Sequence, residues 1–283
     1  SPANRSKRAL AEGRHEKRLM RIALIVSYSG ENYHGWQSQR EPIRTIQDEL
    51  TAAVSSVAHS PVRLICAGRT DSRVHATKQV VHFDTKSIRS QRAWVRGVNT
   101  YLSQEIAVED ALSVPVEFDA RKSALSRRYI YLISNRKNPP PLMRQYFAHE
   151  SRYLNCDAMH EAGQNLLGEN DFTSFRASNC QSLSPMRNLM ELTVSRINDI
   201  VLIDITANAF LQHMVRNISG ALIEVGLNRK PSFWLKELLH LKNRNLAART
   251  ASPNGLFLVD VTYPKSMGIP VGPNSPHVFQ LFV

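Results

Sequence analysis

The sequence predicts an α+β protein built from two tandem β-α-β-β-α-β halves, each of them ferredoxin-like (RRM-like). The 283 residues are enough for roughly two domains of ordinary size. Apolar residues make up 42% of the chain and charged residues 21%, so a sizeable core can form and wholesale disorder is excluded. Short apolar runs and segments of helical periodicity alternate in the same order twice. We expect the two halves to pack their sheets together.

In the first half, the run Arg21–Tyr28 is typical of a strand, and a glycine-containing loop follows it. Apolar residues from Ile46 to Val57 recur at helical spacing, and Thr45 with the acidic Asp48 is typical of a helix N-terminus. The other elements predicted here are strands at Val62–Cys66 and Gln79–Asp84, a helix at Gln91–Leu102 and a strand at Ala107–Val114.

The second half repeats this order, with a hairpin predicted around Asn198 and Asp199. Its predicted strands are Leu125–Ser134, Leu189–Arg196, Ile200–Ala207 and Leu256–Tyr263, and its helices are Cys156–Leu167, Phe210–Val225 and Ser232–Leu241. We therefore expect a basic tail (1–20), an N-terminal half (21–117), a C-terminal half (118–265) and a C-terminal tail (266–283). The basic tail is either a mobile arm that contacts RNA or DNA, or a solvated segment without a role.

Charge and cysteine content restrict the class of protein. The formal net charge of +12 favours a polyanionic partner, of which nucleic acid is the usual one, whereas the plain alternative is a soluble basic enzyme. No stretch approaches about 20 uncharged apolar residues, so we expect no membrane span. The three cysteines are far apart and form no C-x-x-C, which favours a reducing cytoplasm.

The segment Cys66–Thr85 is the most informative, because two predicted strands flank a polar loop that brings Arg69, Thr70 and Asp71 together. An aspartate beside fixed cations stays ionised at neutral pH and can act as a nucleophile or a base. The alternative is that these residues only cap a turn. Cys66, His75 and His82 match no standard zinc spacing, and the sequence has no phosphate-binding or dinucleotide-binding glycine motif. We therefore expect neither a metal nor a cofactor.

Two further segments suggest nucleic-acid contacts. On the strand Leu125–Ser134, Arg127 and Tyr129 share one face and Arg128 takes the other, so Tyr129 is either a base-stacking residue or an ordinary strand tyrosine. On the predicted helix at 210–225, Arg216 lies off the apolar stripe. Its side chain is either free to reach a carboxylate or phosphate, or solvated.

The chain resembles the TruA-type tRNA pseudouridine synthases. The block AGRTDSRVHATKQVVHFDT is similar to the active-site signature of that family. The similarity continues, in the family's order, through YSGENYHGWQSQ, FDARKSALSRRYIY, LLGENDFTSFRASNCQS, NAFLQHMVRNISGALIEVG and GLFLV. It extends from about Arg21 to Pro264 and leaves only the two tails outside. One G-R-T-D alone would be weak evidence, but six ordered blocks are specific.

The resemblance implies the pseudouridine synthase fold, with a central, mainly antiparallel sheet, and a cytoplasmic homodimer. It implies isomerisation of uridine to pseudouridine at positions 38, 39 and 40 of the tRNA anticodon stem-loop, without cofactor or metal. It also implies the residue roles. Asp71 would be the catalytic aspartate, Arg69 the residue that displaces the target base, Tyr129 the residue that stacks on the uracil, Arg216 the partner of the aspartate and Leu256 the apolar floor.

The same resemblance implies the residues that line the RNA path. They are Phe118, Asp119, Ala120, Arg121, Lys122, Asn179, Cys180, Gln181, Ser182, Leu183, Arg89 and Lys137. Arg73 departs from the family pattern, because a glycine is expected two residues after Asp71. If that glycine is needed for a positive φ, an arginine there is strained, and a phosphate contact would compensate. Otherwise φ is negative and Arg73 is solvated.

Two other functions stay open at this point. A non-catalytic protein of two RRM-like halves would bind RNA without modifying it, but the aromatic RNP1 strand motif is absent. A related synthase that acts on another RNA would keep the chemistry and change the substrate. The residues alone also leave open whether Asp71 attacks C1′, adds at C6 or removes a proton from C2′.

Overall fold

The computed structural model of the protein describes residues 18–273. The strands are β1 (Met20–Tyr28), β2 (Ile65–Cys66), β3 (His75–Thr85), β4 (Ile106–Val114), β5 (Ser126–Ser134), β6 (Ala148–His149), β7 (Gly168–Asp171), β8 (Met186–Ile197), β9 (Ile200–Ala207) and β10 (Leu256–Thr262). The α-helices are α1 (Ile46–Ala58), α2 (Gln91–Tyr101), α3 (Cys156–Gln164), α4 (Met214–Gly226) and α5 (Trp234–Leu241).

Within the described range, ten strands form one sheet with the central order β4-β1-β3-β10-β5-β9-β8-β7. In the second half, β10, β5, β9 and β8 lie side by side in the 4-1-3-2 order of a ferredoxin-like unit, and β4, β1 and β3 begin the same order in the first half. Among the strand pairs of residues 18–273, only β3–β10 and β5–β6 are parallel. The predicted α+β class with a central, mainly antiparallel sheet is confirmed.

The two halves join edge to edge along β3. The first residues of β3 pair with β10, whereas Val81 and His82, further along the same edge, pair with the two-residue β2. The strand β2 is much shorter than the strand Val62–Cys66 that the sequence predicts. The two half-sheets are therefore continuous through hydrogen bonds rather than stacked face to face.

A helix begins where the sequence predicts when its capping residue can be recognised in the sequence. Thr45 caps α1 as predicted, since its side chain accepts a hydrogen bond from the N–H of Asp48. By contrast, α4 begins at Met214 and not at the predicted Phe210, because His213 has a φ of 63° and cannot continue a right-handed helix. The short strands β6 and β7 have no counterpart in the sequence prediction.

Helices cover one face of the sheet. Apolar side chains from all five helices join the larger core cluster, together with Tyr129 and Leu256 of the strands. A smaller cluster contains only strand residues; its buried members are Ile130, Leu132, Leu202, Phe257 and Val259. Tyr129 and Leu256 therefore lie on the side of the sheet that the helices cover.

The predicted tails are only partly described. Met20 already belongs to β1, and residues 1–17 of the basic tail lie outside the described residues, as do 274–283. The described part of the C-terminal tail is held to the sheet, because Lys78 of β3 donates to the carbonyls of Pro270 and Gly272. No helix of residues 18–273 is both long and apolar enough to cross a bilayer.

Candidate active site

A tightly packed loop leads into the start of β3 and carries Asp71. We call residues 67–74 the RTD loop. A Cβ on Gly30 would lie 2.0 Å from the carbonyl oxygen of Val74, so only glycine permits the loop after β1 to approach so closely. The N–H of Trp36 donates to the carbonyl of Thr70 at 3.0 Å. These backbone contacts hold Asp71 at the edge of the first half, facing the second half.

Two side chains of the second half meet Asp71. The Arg216 Nη1 donates to Asp71 Oδ2 at 3.2 Å, and the Arg216 Nε donates to the carbonyl of Ala251 at 2.9 Å. The His213 Nε2 lies 3.5 Å from the same carboxylate oxygen. A cation that is fixed on one side by a backbone carbonyl presents its other side in a constant direction, so the carboxylate is held in one orientation.

His213 is the site residue that the sequence analysis missed. It lies three residues before Arg216, inside the block HMVRN, but the predicted helix covered it and hid its left-handed backbone. A non-glycine residue with positive φ is uncommon, and such residues cluster at functional sites. The only signal in the sequence was its proximity to Arg216.

Tyr129 forms one wall beside the carboxylate. Its side chain is buried, and its ring packs edge-on against Phe210, with the ring centroids 5.1 Å apart. Burial raises the pKa of Tyr129 far above its usual range, and the neighbouring Tyr28 and Asp71 add to the effect, so the hydroxyl stays protonated. No described residue forms a hydrogen bond to that hydroxyl, which leaves it available to a bound molecule. Leu256 is buried on the adjoining strand β10.

The FDARK segment (residues 118–122) is anchored to the core by two buried side chains and a backbone hydrogen bond. The side chains of Phe118 and Ala120 have 0% exposure, and the N–H of Ala120 donates to the Nδ1 of His82. The side chains of these two residues are therefore enclosed by protein, and a contact of theirs with RNA would have to be made by the backbone. Asp119 is partly buried, and its carboxylate accepts hydrogen bonds from the backbone N–H groups of Arg121 and Lys122. Arg121 and Lys122 are exposed, so an RNA contact by this segment falls to them.

The NCQSL segment (residues 179–183) is a braced surface loop. The Arg176 Nη2 donates to the carbonyls of Cys180 and Ser182, and the Arg187 Nη2 donates to the Ser182 hydroxyl. Cys180 and Ser182 are half-buried through these contacts; the members with exposed side chains are Asn179, Gln181 and Leu183. The loop can therefore present a fixed surface to a partner.

Arg69 is exposed directly before Thr70 and Asp71, whereas Arg89 and Lys137 lie far from the carboxylate. Ala76 and Tyr129 flank Leu258 in neighbouring strands. Counted along β3 from Ala76, the end of the strand before Arg89 is roughly 30 Å away. Counted along β5 from Tyr129, the end of the strand before Lys137 is roughly 17 Å away, in the opposite direction. The structure thus gathers Asp71, Arg69, Tyr129 and Arg216 into one site and leaves two predicted contacts at the two ends of the sheet.

Comparisons with known proteins identify the family of the chain. A family model described as tRNA pseudouridine synthase matches residues 24–121 and 162–264, which include the RTD loop, Arg216 and Leu256. The chain belongs to the tRNA pseudouridine synthase family. It is thus an isomerase that acts on uridine in tRNA.

Curated relatives extend the match over most of the chain. The tRNA pseudouridine synthase A of Aliivibrio salmonicida (strain LFI1238) is 51% identical over 257 residues, which cover 91% of this chain and 98% of the relative. That of Legionella pneumophila (strain Corby) is 52% identical over 250 residues, covering 88% and 95%. A chain of a solved Cbf5–Nop10–Gar1 complex aligns to 83% of this chain, and the alignment covers 57% of that chain, at 10% identity and a TM-score of 0.33.

In this pseudouridine synthase, Arg73 has a φ of 67°. The position therefore requires the left-handed backbone, and the alternative of a negative φ is wrong. A non-glycine residue there costs about 1–2 kcal/mol. The Arg73 side chain is exposed, and its N–H donates to the carbonyl of Tyr33 at 3.3 Å. Backbone contacts thus maintain the strained conformation of Arg73, while its guanidinium is exposed to solvent.

His75, directly after the RTD loop, holds the loop that follows β1. Its Nδ1 accepts a hydrogen bond from the N–H of Gly30 at 3.0 Å, and its Nε2 lies 3.0 Å from the carbonyl oxygen of Gln145. The Nδ1 must be unprotonated to accept, so the ring is neutral. Burial lowers the pKa of His75 from its ordinary 6.5 to about 4.

We expect the free energy of unfolding of the synthase to rise with pH between about 4 and 6.5. In this window the unfolded chain binds a proton at His75 that the folded chain does not bind. The full effect of His75 is at most about 3.5 kcal/mol, since the pKa difference is 6.5 minus about 4 and one pKa unit corresponds to about 1.4 kcal/mol. Urea unfolding at several pH values measures it. His75→Gln keeps an acceptor and a donor but does not titrate, so its curve should be flatter; parallel curves for the two proteins would contradict the role of His75.

Proposed function

We propose that the protein isomerises uridine to pseudouridine at positions 38, 39 and 40 of the tRNA anticodon stem-loop, with Asp71 as the catalytic residue. The observation that supports this most directly is the position of Asp71. Its carboxylate is held by Arg216 from the other half of the molecule, beside a buried tyrosine whose hydroxyl is free to meet a ligand. Acidic, stacking and apolar side chains together suit a flipped nucleotide.

The reaction balances within the nucleotide. The N1–C1′ bond breaks, the uracil turns, and a C5–C1′ bond forms; the hydrogen of C5 leaves to solvent, and N1 gains one. In the proposal, Asp71 acts on the sugar or the base, and Tyr129 stacks on the uracil above the apolar Leu256. Leaving the stem costs the base a few kcal/mol. In the proposal, the exposed Arg69 fills part of the vacated stack and offsets some of that cost.

Release of tritium from an anticodon stem-loop RNA labelled at C5 of uridine tests this function. Three RNAs, each with a single uridine at position 38, 39 or 40, should all release tritium, and an RNA without uridine at these positions should release none. Because the proposal includes no metal or cofactor, release should continue after exhaustive dialysis against chelator. A protein that only binds RNA releases no tritium. Release only from an RNA other than tRNA would support the alternative substrate instead.

The net charge of +12 suggests that tRNA binding depends on phosphate contacts along the sheet. The exposed Arg121 and Lys122, together with Arg89 and Lys137 at the two ends, are the proposed contacts. We also propose a homodimer in the cytoplasm, on the basis of family resemblance and of three cysteines without disulfides. Light scattering of the purified protein measures the oligomeric state.

Arg73 is expected to contact a phosphate near the target nucleotide. We expect Arg73→Gly to bind tRNA more weakly and to make the slope of log affinity against log salt less negative by about one unit, since one phosphate contact is lost. Filter binding at several salt concentrations measures both quantities. Arg136→Gly removes a similarly exposed arginine beyond the far end of β5 and serves as the comparison. An unchanged slope in Arg73→Gly would leave Arg73 a solvated residue.

Two substitutions of Tyr129 distinguish a stacking role from a role in proton transfer. We expect Tyr129→Ala to weaken productive binding by about 1–3 kcal/mol, because the base loses its aromatic partner. Tyr129→Phe keeps the ring and removes only the hydroxyl, so a large loss of turnover in Phe would assign the hydroxyl a chemical role. Single-turnover tritium release measures both. Near wild-type activity in both variants would exclude Tyr129 from the site.

A further inference from the structure

We propose that Arg127 is the positioning residue that aligns the RTD loop, the FDARK segment and the wall around Tyr129; this inference rests on the function proposed above. Arg127 lies on β5, two residues before Tyr129 and on the same face of the sheet. Its exposed fraction is only 7%. The family resemblance assigned no role to it.

The guanidinium of Arg127 is saturated by backbone carbonyls. Arginine has five N–H donors in a rigid plane, and all five are used here. The Nε and Nη2 donate to Ala67 at 3.2 and 2.8 Å. The Nη2 also donates to Arg121 at 2.5 Å, and the Nη1 donates to Ala124 at 3.3 Å and Asn208 at 2.8 Å. The contacts extend in three directions from one rigid group.

The carbonyl groups that accept these hydrogen bonds belong to three different parts of the site. Ala67 opens the RTD loop, four residues before Asp71. Arg121 belongs to the FDARK segment, and Ala124 follows it. Asn208 lies two residues before Phe210, whose ring packs on Tyr129. One side chain therefore joins the catalytic carboxylate, the exposed RNA-contacting segment and the uracil-stacking wall, which come from sequence positions up to 141 residues apart.

Among residues 18–273, Arg127 forms no ion pair with a carboxylate. The neighbouring ionisable groups that act on Arg127 are Tyr263, Tyr129, Arg121 and Cys66, and none of them is acidic at neutral pH. Burial accordingly lowers the pKa of Arg127. A buried charge that is solvated only by carbonyl dipoles is costly to keep, so its bonds must serve the arrangement of the backbone segments that supply them.

The test compares Arg127→Lys with Arg128→Lys, its neighbour on the opposite face. Arg128 is bound to Asp204 through two hydrogen bonds of 2.9 and 2.6 Å, so both substitutions remove a multiply bonded guanidinium from the same strand and keep a positive charge. Lysine has one ammonium with three donors and cannot reach three segments from one plane. We expect Arg127→Lys to lower the single-turnover rate of tritium release about 100-fold, because small misplacement of reacting groups has effects of that size. The tRNA affinity should stay within about threefold, since it is spread over many phosphate contacts.

Folding is controlled by repeating the assay in an osmolyte such as trimethylamine N-oxide, which favours the folded state. The rate of Arg127→Lys should stay low in the osmolyte, although circular dichroism shows the protein folded. Recovery to the wild-type rate, or a loss no larger than that of Arg128→Lys, would overturn the proposal. Asp71→Asn and the wild type are measured alongside. If the wild type releases no tritium, both the proposed function and this inference are wrong. If the wild type is active, Asp71→Asn is inactive and Arg127→Lys has a normal rate, only the inference is wrong.

Discussion

Asp71→Asn is expected to abolish tritium release from labelled tRNA while tRNA binding persists. Asparagine keeps the size of the side chain but removes the negative charge that the proposed chemistry needs. Loss of a nucleophile or base of this kind lowers turnover by about 10⁴-fold or more. Arg216 would still be held by the carbonyl of Ala251, so the site should keep its shape. Single-turnover tritium release and filter binding on the same preparation measure the two quantities.

The matched control is Asp204→Asn, which also removes a carboxylate paired with an arginine. Asp204 lies opposite Ile130 in the β5–β9 ladder and therefore faces away from Tyr129. We expect its tritium release to stay near the wild-type rate. Substantial release by Asp71→Asn would show that another group performs the chemistry, and His213 would then be the next residue to replace.

Lys78→Met is expected to produce the largest loss of stability. The Lys78 Nζ donates to Asp260 Oδ1 at 2.6 Å, with side-chain exposures of 2% and 10%, and to the carbonyls of Pro270 and Gly272. Removing one partner of a buried pair leaves the other charge without compensation and costs about 3–5 kcal/mol. For a protein of this size, that lowers Tm by roughly 10 °C. Differential scanning calorimetry and urea unfolding measure the change.

The double variant Lys78→Met/Asp260→Leu separates the pair from the packing around it. Because replacing both members of a buried ion pair by apolar residues is often neutral, we expect most of the lost stability to return. Lys86→Met, at an exposed position just beyond β3, should change Tm by little. A Tm for Lys78→Met equal to that of Lys86→Met would mean that the buried pair contributes nothing net.

The sequence by itself determined the features that depend on neighbouring residues. Thr45 and Asp48 predict the start of α1, because a helix cap is made within one turn. Alternating and helical apolar periods predict the order of the two halves. The six ordered blocks identify the family and single out Asp71, because each block is a local string of residues. These signals need no knowledge of what lies across the fold.

The tertiary structure decided how the pieces meet. No local pattern shows that β10 pairs with the start of the same β3 edge that β2 uses further along, since that choice is made between strands far apart in sequence. The left-handed backbone of His213, which delays α4, brings its ring to Asp71 in the other half. Local propensity favoured a helix there, and the packing between halves overrode it.

The basic residues show the difference most clearly. In the sequence, Lys78 and Arg127 count toward the charge of +12 like any lysine or arginine on an RNA-binding surface. In the structure, both are buried and saturated with acceptors; Asp260 is 182 residues from Lys78, and Asn208 is 81 residues from Arg127. Whether a cation meets RNA, a carboxylate or a carbonyl depends on which distant groups the fold brings within about 3 Å of it, and composition carries no record of that distance.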